Sequence, residues 1–448
     1  MRKGILFPLI VLSVFSAGAL NVTFSGATHP VLSVEPDKNT GLETVYVAWK
    51  SGELDSMTIS DISSDAAISR YSNLGGGFAE PQPFVWEGNG AVVSHPAGDM
   101  GYIVTTGGKS YAFWLTDYSK HQLKLVSISP ASEQYCDNTS LNVQGEGGPI
   151  NYFSIDGRSV ELRRDLHLEY INQEWSEEDM EYIHKGETKV LNHLMDPIVV
   201  VPPFYCHTDV TLEGDRFLRE WKIPQSVSCS NIGPNGVACH TGAEQTNAGA
   251  DDPSLGSNLI KNNTEGLGGS APAVILFKAY PTEAVIHDEW QISRYPEFDN
   301  LDYRFNQRDV EYSFEEEGTY YVRYVGSDAT GTCETFGDVY TVSIGASELR
   351  IPNAFSPNDD GVNDIWRIGY RSLLHFNCWI FDRYGNEIYH FSDPAGGWDG
   401  KYNGKKVESG VYFYVIEATG SDGKKYKRGG DINVVGYKTH STINSGQK

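Results

Sequence analysis

Short runs in which apolar and polar residues alternate, cut at brief intervals by Gly, Asn, Asp and Pro, recur along the whole chain. Period two belongs to a β-strand, whose successive side chains point to opposite faces, so the pattern predicts half-buried strands rather than amphipathic helices. Val45-Tyr46-Val47-Ala48-Trp49, Tyr111-Ala112-Phe113-Trp114-Leu115 and Leu125-Val126-Ser127-Ile128 are early examples; Asp156-Gly157 between Tyr152-Phe153-Ser154-Ile155 and Val160-Glu161-Leu162 predicts a tight hairpin. At 448 residues the chain exceeds one such domain and suffices for several. The expectation is an all-β protein of tandem β-sandwiches.

Breaks in this texture divide the chain. Met1-Arg2-Lys3, an apolar run over 4–15 and the A-x-A triplet Ala17-Gly18-Ala19 predict a secretory signal peptide over 1–19, cleaved after the small residues Ala17 and Ala19. That apolar run is shorter than the ~20 residues a membrane-spanning helix needs. Two sandwiches are expected over 20–129 and 130–222, with the acidic stretch Glu174 to His184 forming a short helix or loop. Residues 223–267, rich in Ser, Asn, Gly and Thr, are expected as a linker or insertion. Regular strands return over 268–347 and again over 348–438, and 439–448 is a polar tail.

Charge narrows the function. The chain carries 35 Lys and Arg against 59 Asp and Glu, a net charge of −24, so nucleic acid is not an expected partner. Residues 351–448 are near neutral, with 12 basic and 11 acidic side chains, which places the acidity in the preceding sandwiches. No H-E-x-x-H, G-x-S-x-G, phosphate-binding loop or dinucleotide fingerprint occurs, and no catalytic or cofactor-binding residue is assigned. Export permits disulfides. Cys229 with Cys239, and Cys136 with Cys206, are plausible pairs, although spacing does not fix connectivity. Cys378, inside the apolar Phe376-Asn377-Cys378-Trp379-Ile380, is expected to be a buried free thiol.

The last hundred residues hold the most specific strings. Ile351-Pro352-Asn353-Ala354-Phe355-Ser356-Pro357-Asn358-Asp359-Asp360-Gly361-Val362-Asn363-Asp364 comes first. Phe381-Asp382-Arg383-Tyr384-Gly385, Gly397-Trp398-Asp399-Gly400 and Gly410-Val411-Tyr412-Phe413-Tyr414 follow in order. Together they resemble the gliding-motility-associated C-terminal domain of the Bacteroidetes, the type B signal of the type IX secretion system. The resemblance implies a small β-sandwich that takes the folded protein through an outer-membrane translocon. It assigns the secretion-signal motif to Pro352, Asn353, Phe355, Ser356, Pro357, Asn358, Asp360, Gly361, Asn363, Asp364, Arg383, Gly385, Trp398, Asp399, Gly400, Gly410, Tyr412 and Tyr414. Asp382-Arg383-Tyr384-Gly385 stands where many members carry Asn-Arg-Trp-Gly.

Upstream, Ser270-Ala271-Pro272, Glu289-Trp290-Gln291-Ile292-Ser293 and Gly318-Thr319-Tyr320-Tyr321-Val322-Arg323 resemble a PKD-like sandwich. With Lys424-Lys425-Tyr426-Lys427 and Gly430-Asp431-Ile432-Asn433-Val434-Val435-Gly436-Tyr437-Lys438 they are similar to PorA-type components of type IX secretion. The full expectation is therefore tandem Ig-like and PKD-like β-sandwiches ending in a small β-sandwich secretion-signal domain. Its implied partners are the outer-membrane translocon, its shuttle proteins and the periplasmic region of an envelope sensor kinase. The implied location is the cell surface or outer membrane, or release into the medium, and the implied role is non-enzymatic. A surface adhesin or a glycan- or protein-binding cargo of the same system is the alternative.

Two clusters within that domain have chemistry of their own. Asn358, Asp359, Asp360, Asn363 and Asp364 offer oxygen ligands of the kind calcium takes, without EF-hand spacing. An Asx-rich turn whose side chains cap their own backbone is the favoured reading. Lys424, Lys425, Lys427 and Arg428 form a basic cluster, read either as a solvated hairpin or as a contact for acidic loops or anionic lipopolysaccharide.

Overall fold

The computed structural model describes residues 20–247, 258–260 and 266–436. The cleavage residues Ala17 and Ala19 and the 439–448 tail lie outside the described residues. The chain is nearly all β, with 54% of it in strands and 3% in helix. It divides into two compact units, the first of residues 1–174 and 184–234, the second of Trp175–Ile183 and residues 235–448.

In the first unit, Asn21–Ser25, Ser56–Ser60, Gly90–Ser94 and Val85–Glu87 form a four-stranded sheet in that order. It faces a six-stranded sheet ordered Leu32–Val34, Thr44–Ala48, Lys109–Asp117, Met100–Thr106, Ala67–Tyr71 and Glu80–Pro81. Phe113, Leu115, Tyr102 and Val104 of the larger sheet pack with Met57 and Ile59 of the smaller one. The larger sheet's other face is also buried. Val45, Val47, Ala112 and Trp114 join a core that continues through Leu141, Ile150, Leu168, Phe204 and Leu212 of the second sandwich. Burial on both faces explains why Ala112-Phe113-Trp114-Leu115 reads as an unbroken apolar run rather than an alternation.

The second sandwich combines a sheet of Lys124–Pro130, Thr139–Glu146 and Ile198–Val200 with one of Glu181–Leu191, Leu166–Ser176, Thr208–Gly214 and Gln225–Ile232. The hairpin at Asp156-Gly157 joins Ile150–Phe153 to Ser159–Leu162, with Gly157 at φ +83°. The Glu174 to His184 stretch differs from expectation: it is neither helix nor loop but the end of the long strands Leu166–Ser176 and Glu181–Leu191. Its turn is closed by Ser176, whose hydroxyl donates to Asp179 at 2.8 Å and accepts the Asp179 amide at 3.2 Å.

The first two sandwiches share a buried polar junction as well as a core. Arg164 and Asp215, both almost wholly buried, form an ion pair at 2.7 Å. Arg164 also donates to the carbonyls of Gly148 (2.8 Å) and His121. Asp215 accepts from the Tyr118 hydroxyl at 3.1 Å and caps the short helix Arg216–Glu220 through the Leu218 amide at 3.0 Å. Burial pushes the Tyr118 phenol pKa up. Trp221 closes the junction by donating from Nε1 to the Pro30 carbonyl at 2.8 Å.

The expected linker over 223–267 proves, among its described residues, to contain the strands Gln225–Ile232 and Cys239–Gln245 and the start of Leu267–Gly269. Gln225–Ile232 completes the second sandwich, and Cys239–Gln245 pairs along its length with Ala273–Pro281 of the third. Both lie at sheet edges, where neither face is deeply buried, so polar residues suffice and the apolar alternation fades. The third sandwich therefore opens before residue 268. Its sheets enclose Ile275, Phe277, Trp290, Val322 and Tyr324. Neither anticipated cysteine pair forms: Cys206, Cys229 and Cys239 are not in disulfides, whereas Cys136 is disulfide-bonded.

The last sandwich is built on a five-stranded sheet ordered Ala354–Phe355, Lys425–Val434, Gly410–Gly420, Leu373–Phe381 and Glu387–Phe391. The first pair is parallel and the other three antiparallel. Phe376, Cys378 and Ile380 turn inward on alternate positions against Ile416 and Ile432. Cys378 is free and fully buried, and that burial pushes its thiol up to about 12, leaving it protonated and inert. Ser372 ties this sandwich to the third. Its amide donates to the Ser270 hydroxyl (2.7 Å), and its own hydroxyl donates to Gly345 (2.6 Å) while accepting the Ala271 amide (3.1 Å).

Candidate functional site

The motif residues of the last domain converge on two tryptophans. Trp366 and Trp398 exchange a pair of backbone hydrogen bonds at 2.8 and 3.0 Å, and both rings are fully buried. Each indole N–H finds a carbonyl, Trp366 to Pro352 at 2.7 Å and Trp398 to Lys401 at 3.0 Å. Phe355 and Tyr412 flank Trp398 with ring centroids at 5.4 and 5.3 Å, while Tyr414 packs on Trp366 at 5.4 Å. Three of the four strings, those holding Phe355, Trp398 and Tyr412, thus meet around one aromatic centre, and the Asp382-Arg383-Tyr384-Gly385 string lies apart from it. Asn353 joins the sheet through its carbonyl, which accepts the Asn433 amide at 2.8 Å.

Gly400 shows why Trp-Asp-Gly is needed here. It sits at φ +72°, and a Cβ would lie 2.8 Å from Pro357 Cγ and 3.3 Å from Phe355 Cζ. Asp399 holds the turn by accepting the Lys401 amide at 3.1 Å and its ammonium at 2.7 Å. Gly400→Ala is expected to destabilise the last domain by about 1–3 kcal/mol through backbone strain and crowding, measured as a lowered denaturant midpoint with an unchanged slope. A midpoint equal to the parent's would refute the crowding argument.

The Asn358 to Asp364 loop is bound up with itself. Asp364 accepts the amides of Asp359 (2.6 Å) and Gly361 (2.7 Å). Asn358 Oδ1 accepts the Asp360 amide at 3.1 Å, and Asp360 Oδ1 accepts the Val362 amide at 2.9 Å. Asp359 pairs with Lys406 at 2.6 Å. Ser356 and Asn363 close the loop at its base, the Ser356 amide donating to the Asn363 carbonyl at 2.9 Å. These are Asx-turn bonds, the self-capping arrangement weighed against calcium from the sequence. Among the described residues, no three His, Cys, Asp or Glu side chains gather as a metal cluster.

Arg383 and Gly385 lie in a turn organised by Asp382, which accepts the amides of Tyr384 (2.8 Å) and Asn386 (2.9 Å) and the Asn386 side-chain amide (2.8 Å). Gly385 takes φ +84° there. These bonds, the Asn386 side chain foremost, hold the Asp382 carboxyl below the usual carboxylate range. Tyr384 is 81% exposed, so the aromatic at this motif position is a surface group. At Gly410–Gly420 the strand divides as its period requires: Val411 and Phe413 are exposed, and Tyr412 and Tyr414 turn toward the core. In the basic cluster Lys427 pairs with Glu417 at 2.8 Å, and Lys424 and Arg428 lie over the Tyr426 ring at 4.8 and 5.9 Å.

A tandem-sandwich protein whose final domain is knitted around a buried tryptophan pair is the class that this geometry defines. Comparison with known families gives its parts. Residues 349–433 match the type IX secretion signal domain family, and residues 127–229 match the fibronectin type III domain family. The chain thus carries a type IX secretion signal, which implies export to the cell surface or beyond, behind fibronectin-like and Ig-like domains. No curated protein matches the chain. Similar solved structures include a tetra-tandem repeat from the extending region of a large adhesion protein, 12% identical over 94% of this chain and 100% of that one, with a TM-score of 0.21. The FN1–FN3 domains of chicken CNTN1 are 9% identical over 69% and 98%, with a TM-score of 0.26. The three N-terminal domains of the bacteriophage RB49 Hoc capsid protein are 9% identical over 70% and 100%, with a TM-score of 0.22. Likenesses this loose do not bear on function.

Proposed function

We propose that the protein is a non-enzymatic surface component of the type IX secretion system, carried through the outer-membrane translocon by its last domain. We further propose that it acts in the PorA-like manner, relaying the state of the apparatus to an envelope sensor kinase. The signal domain at 349–433, folded around Trp366 and Trp398, carries the reading. The PKD-like strings of the third sandwich and the closing strand Lys425–Val434 support the finer, PorA-like part. Signalling of this kind needs a surface that binds a partner differently in two states of the system, not a catalytic centre. None of the sequence motifs sought for hydrolases or nucleotide enzymes is present, and Cys239, which stands beside His240, has its thiol pushed up by burial and so is a poor nucleophile.

Deletion of 349–448 is the test. The first three sandwiches have cores distinct from that of the last, so the truncated protein is expected to fold and to stop in the periplasm. Its appearance on the cell surface would exclude export through the last domain. A full gene deletion then separates the roles. A fall in secretion-gene transcription supports the relay, whereas unchanged transcription with lost attachment assigns the protein as an adhesin cargo.

A further inference from the structure

The Asp382 turn and the hairpin over 401–406 border a cavity of about 680 Å³ whose lining includes Arg383, Tyr384, Tyr402, Lys405 and Tyr412. Three aromatic rings and three cations, the third being Lys406, therefore share one concavity with the carboxylate residues Asp382 and Glu408, within the ~300–1,000 Å³ range of small-molecule sites. Tyr384 and Tyr402 are well exposed, and the Arg383 guanidinium lies 5.8 Å from the Tyr384 ring centroid. Tyr412 is fixed by its hydroxyl bond to the Glu408 carbonyl at 2.9 Å.

The charges are arranged unevenly. Asp382, next to Arg383, directs its carboxylate to the amides of its own turn. Lys406 is engaged by Asp359 and the Pro357 carbonyl. Among the described residues, Arg383 and Lys405 make no ion pair. The cavity thus presents two available cations beside ring faces, on a chain whose net charge is −24.

Ring faces receive the C–H face of a sugar, and a guanidinium receives a carboxylate through two parallel bonds. We propose that this cavity is a binding site for an acidic saccharide of the hexuronic acid class, its ring against Tyr384 or Tyr402 and its carboxylate on Arg383. An acidic peptide would satisfy the cations but would leave the ring faces without a matching partner. The inference does not rest on the export reading, because it is tested by binding to purified protein.

The purified full chain is titrated with trigalacturonate, maltotriose and triglutamate at about 0.15 M salt, where long-range attraction is screened. Trigalacturonate is expected to bind, with maltotriose and triglutamate each ~10-fold weaker or worse, about what one good charge-assisted or stacking contact supplies. Arg383→Ala and Tyr384→Ala are each expected to weaken trigalacturonate by ~10-fold at an unchanged melting temperature, since both side chains lie on the surface. Lys424→Ala with Lys425→Ala, a change of two charges away from the cavity, is expected to leave it unaltered. No binding of trigalacturonate, equal binding of maltotriose, tighter binding of triglutamate, or indifference to Arg383→Ala would each overturn the proposal.

Discussion

Trp398→Ala is expected to weaken the last sandwich by about 3–5 kcal/mol, the usual cost of truncating a large buried aromatic. The ring is fully buried between Phe355 and Tyr412, and its N–H satisfies the Lys401 carbonyl, so removal opens a cavity and orphans an acceptor together. The backbone exchange with Trp366 means that the loss will be felt on both sides of the pair. Hydrogen exchange in the full chain gives the readout. Amides of Gly410–Gly420 that open with this domain should exchange faster by ~100-fold or more, while those of the first unit keep their protection. Trp398→Phe, which keeps most of the packing but not the donor, should fall between parent and Ala. Unchanged exchange in Trp398→Ala would show that the aromatic centre does not hold the domain together.

A comparable loss is expected in the first unit. Asp215→Ala removes the partner of a fully buried Arg164 and the cap of a short helix, and breaking such a pair costs about 3–5 kcal/mol. Replacing both ends of the pair, with Arg164→Met and Asp215→Leu, should recover much of that loss, because no uncompensated charge remains. Since one core runs through the first two sandwiches, urea should unfold them in a single transition in the parent and in the variant alike. A double variant no better than Asp215→Ala would show that the hydrogen bonds to Gly148, His121 and Tyr118, and not the charge pairing, dominate the junction.

The parts of this architecture that declared themselves in the sequence are those where local pattern and burial agree. Phe376, Cys378 and Ile380 alternate and are buried in alternation; Asp156-Gly157 makes its hairpin; the Asn358 to Asp364 string makes the self-capped loop its side chains favour. What escaped is set by tertiary context. Gln225–Ile232 and Cys239–Gln245 are edge strands, and a strand with little to bury needs no apolar stripe. The 166–191 hairpin escaped because its far end is so rich in Glu and Asp that Trp175, Met180, Tyr182 and Ile183 are the apolar residues left there, too few and too unevenly spaced to show a period of two. Arg164 looked like any other surface arginine, since nothing near it in the chain announces Asp215 some fifty positions later. The cavity beside Arg383 is of the same kind: its lining comes from two stretches about twenty residues apart, and only folding shows that they share a wall.

The order of strands in the last sheet has a consequence for the chain's own history. Lys425–Val434 lies between Ala354–Phe355 and Gly410–Gly420, so the strand of this sheet that is made after the other four is the one that these two must wait for. Until it is delivered, Gly410–Gly420 has one bare edge and the parallel strand at 354–355 has no sheet to join. A polypeptide that stops before Lys425 therefore lacks the strand that joins 354–355 to the rest of the sheet, whatever the state of the sandwiches ahead of it. Closure of this sheet therefore reports that the chain has been made, unbroken, through the strand Lys425–Val434.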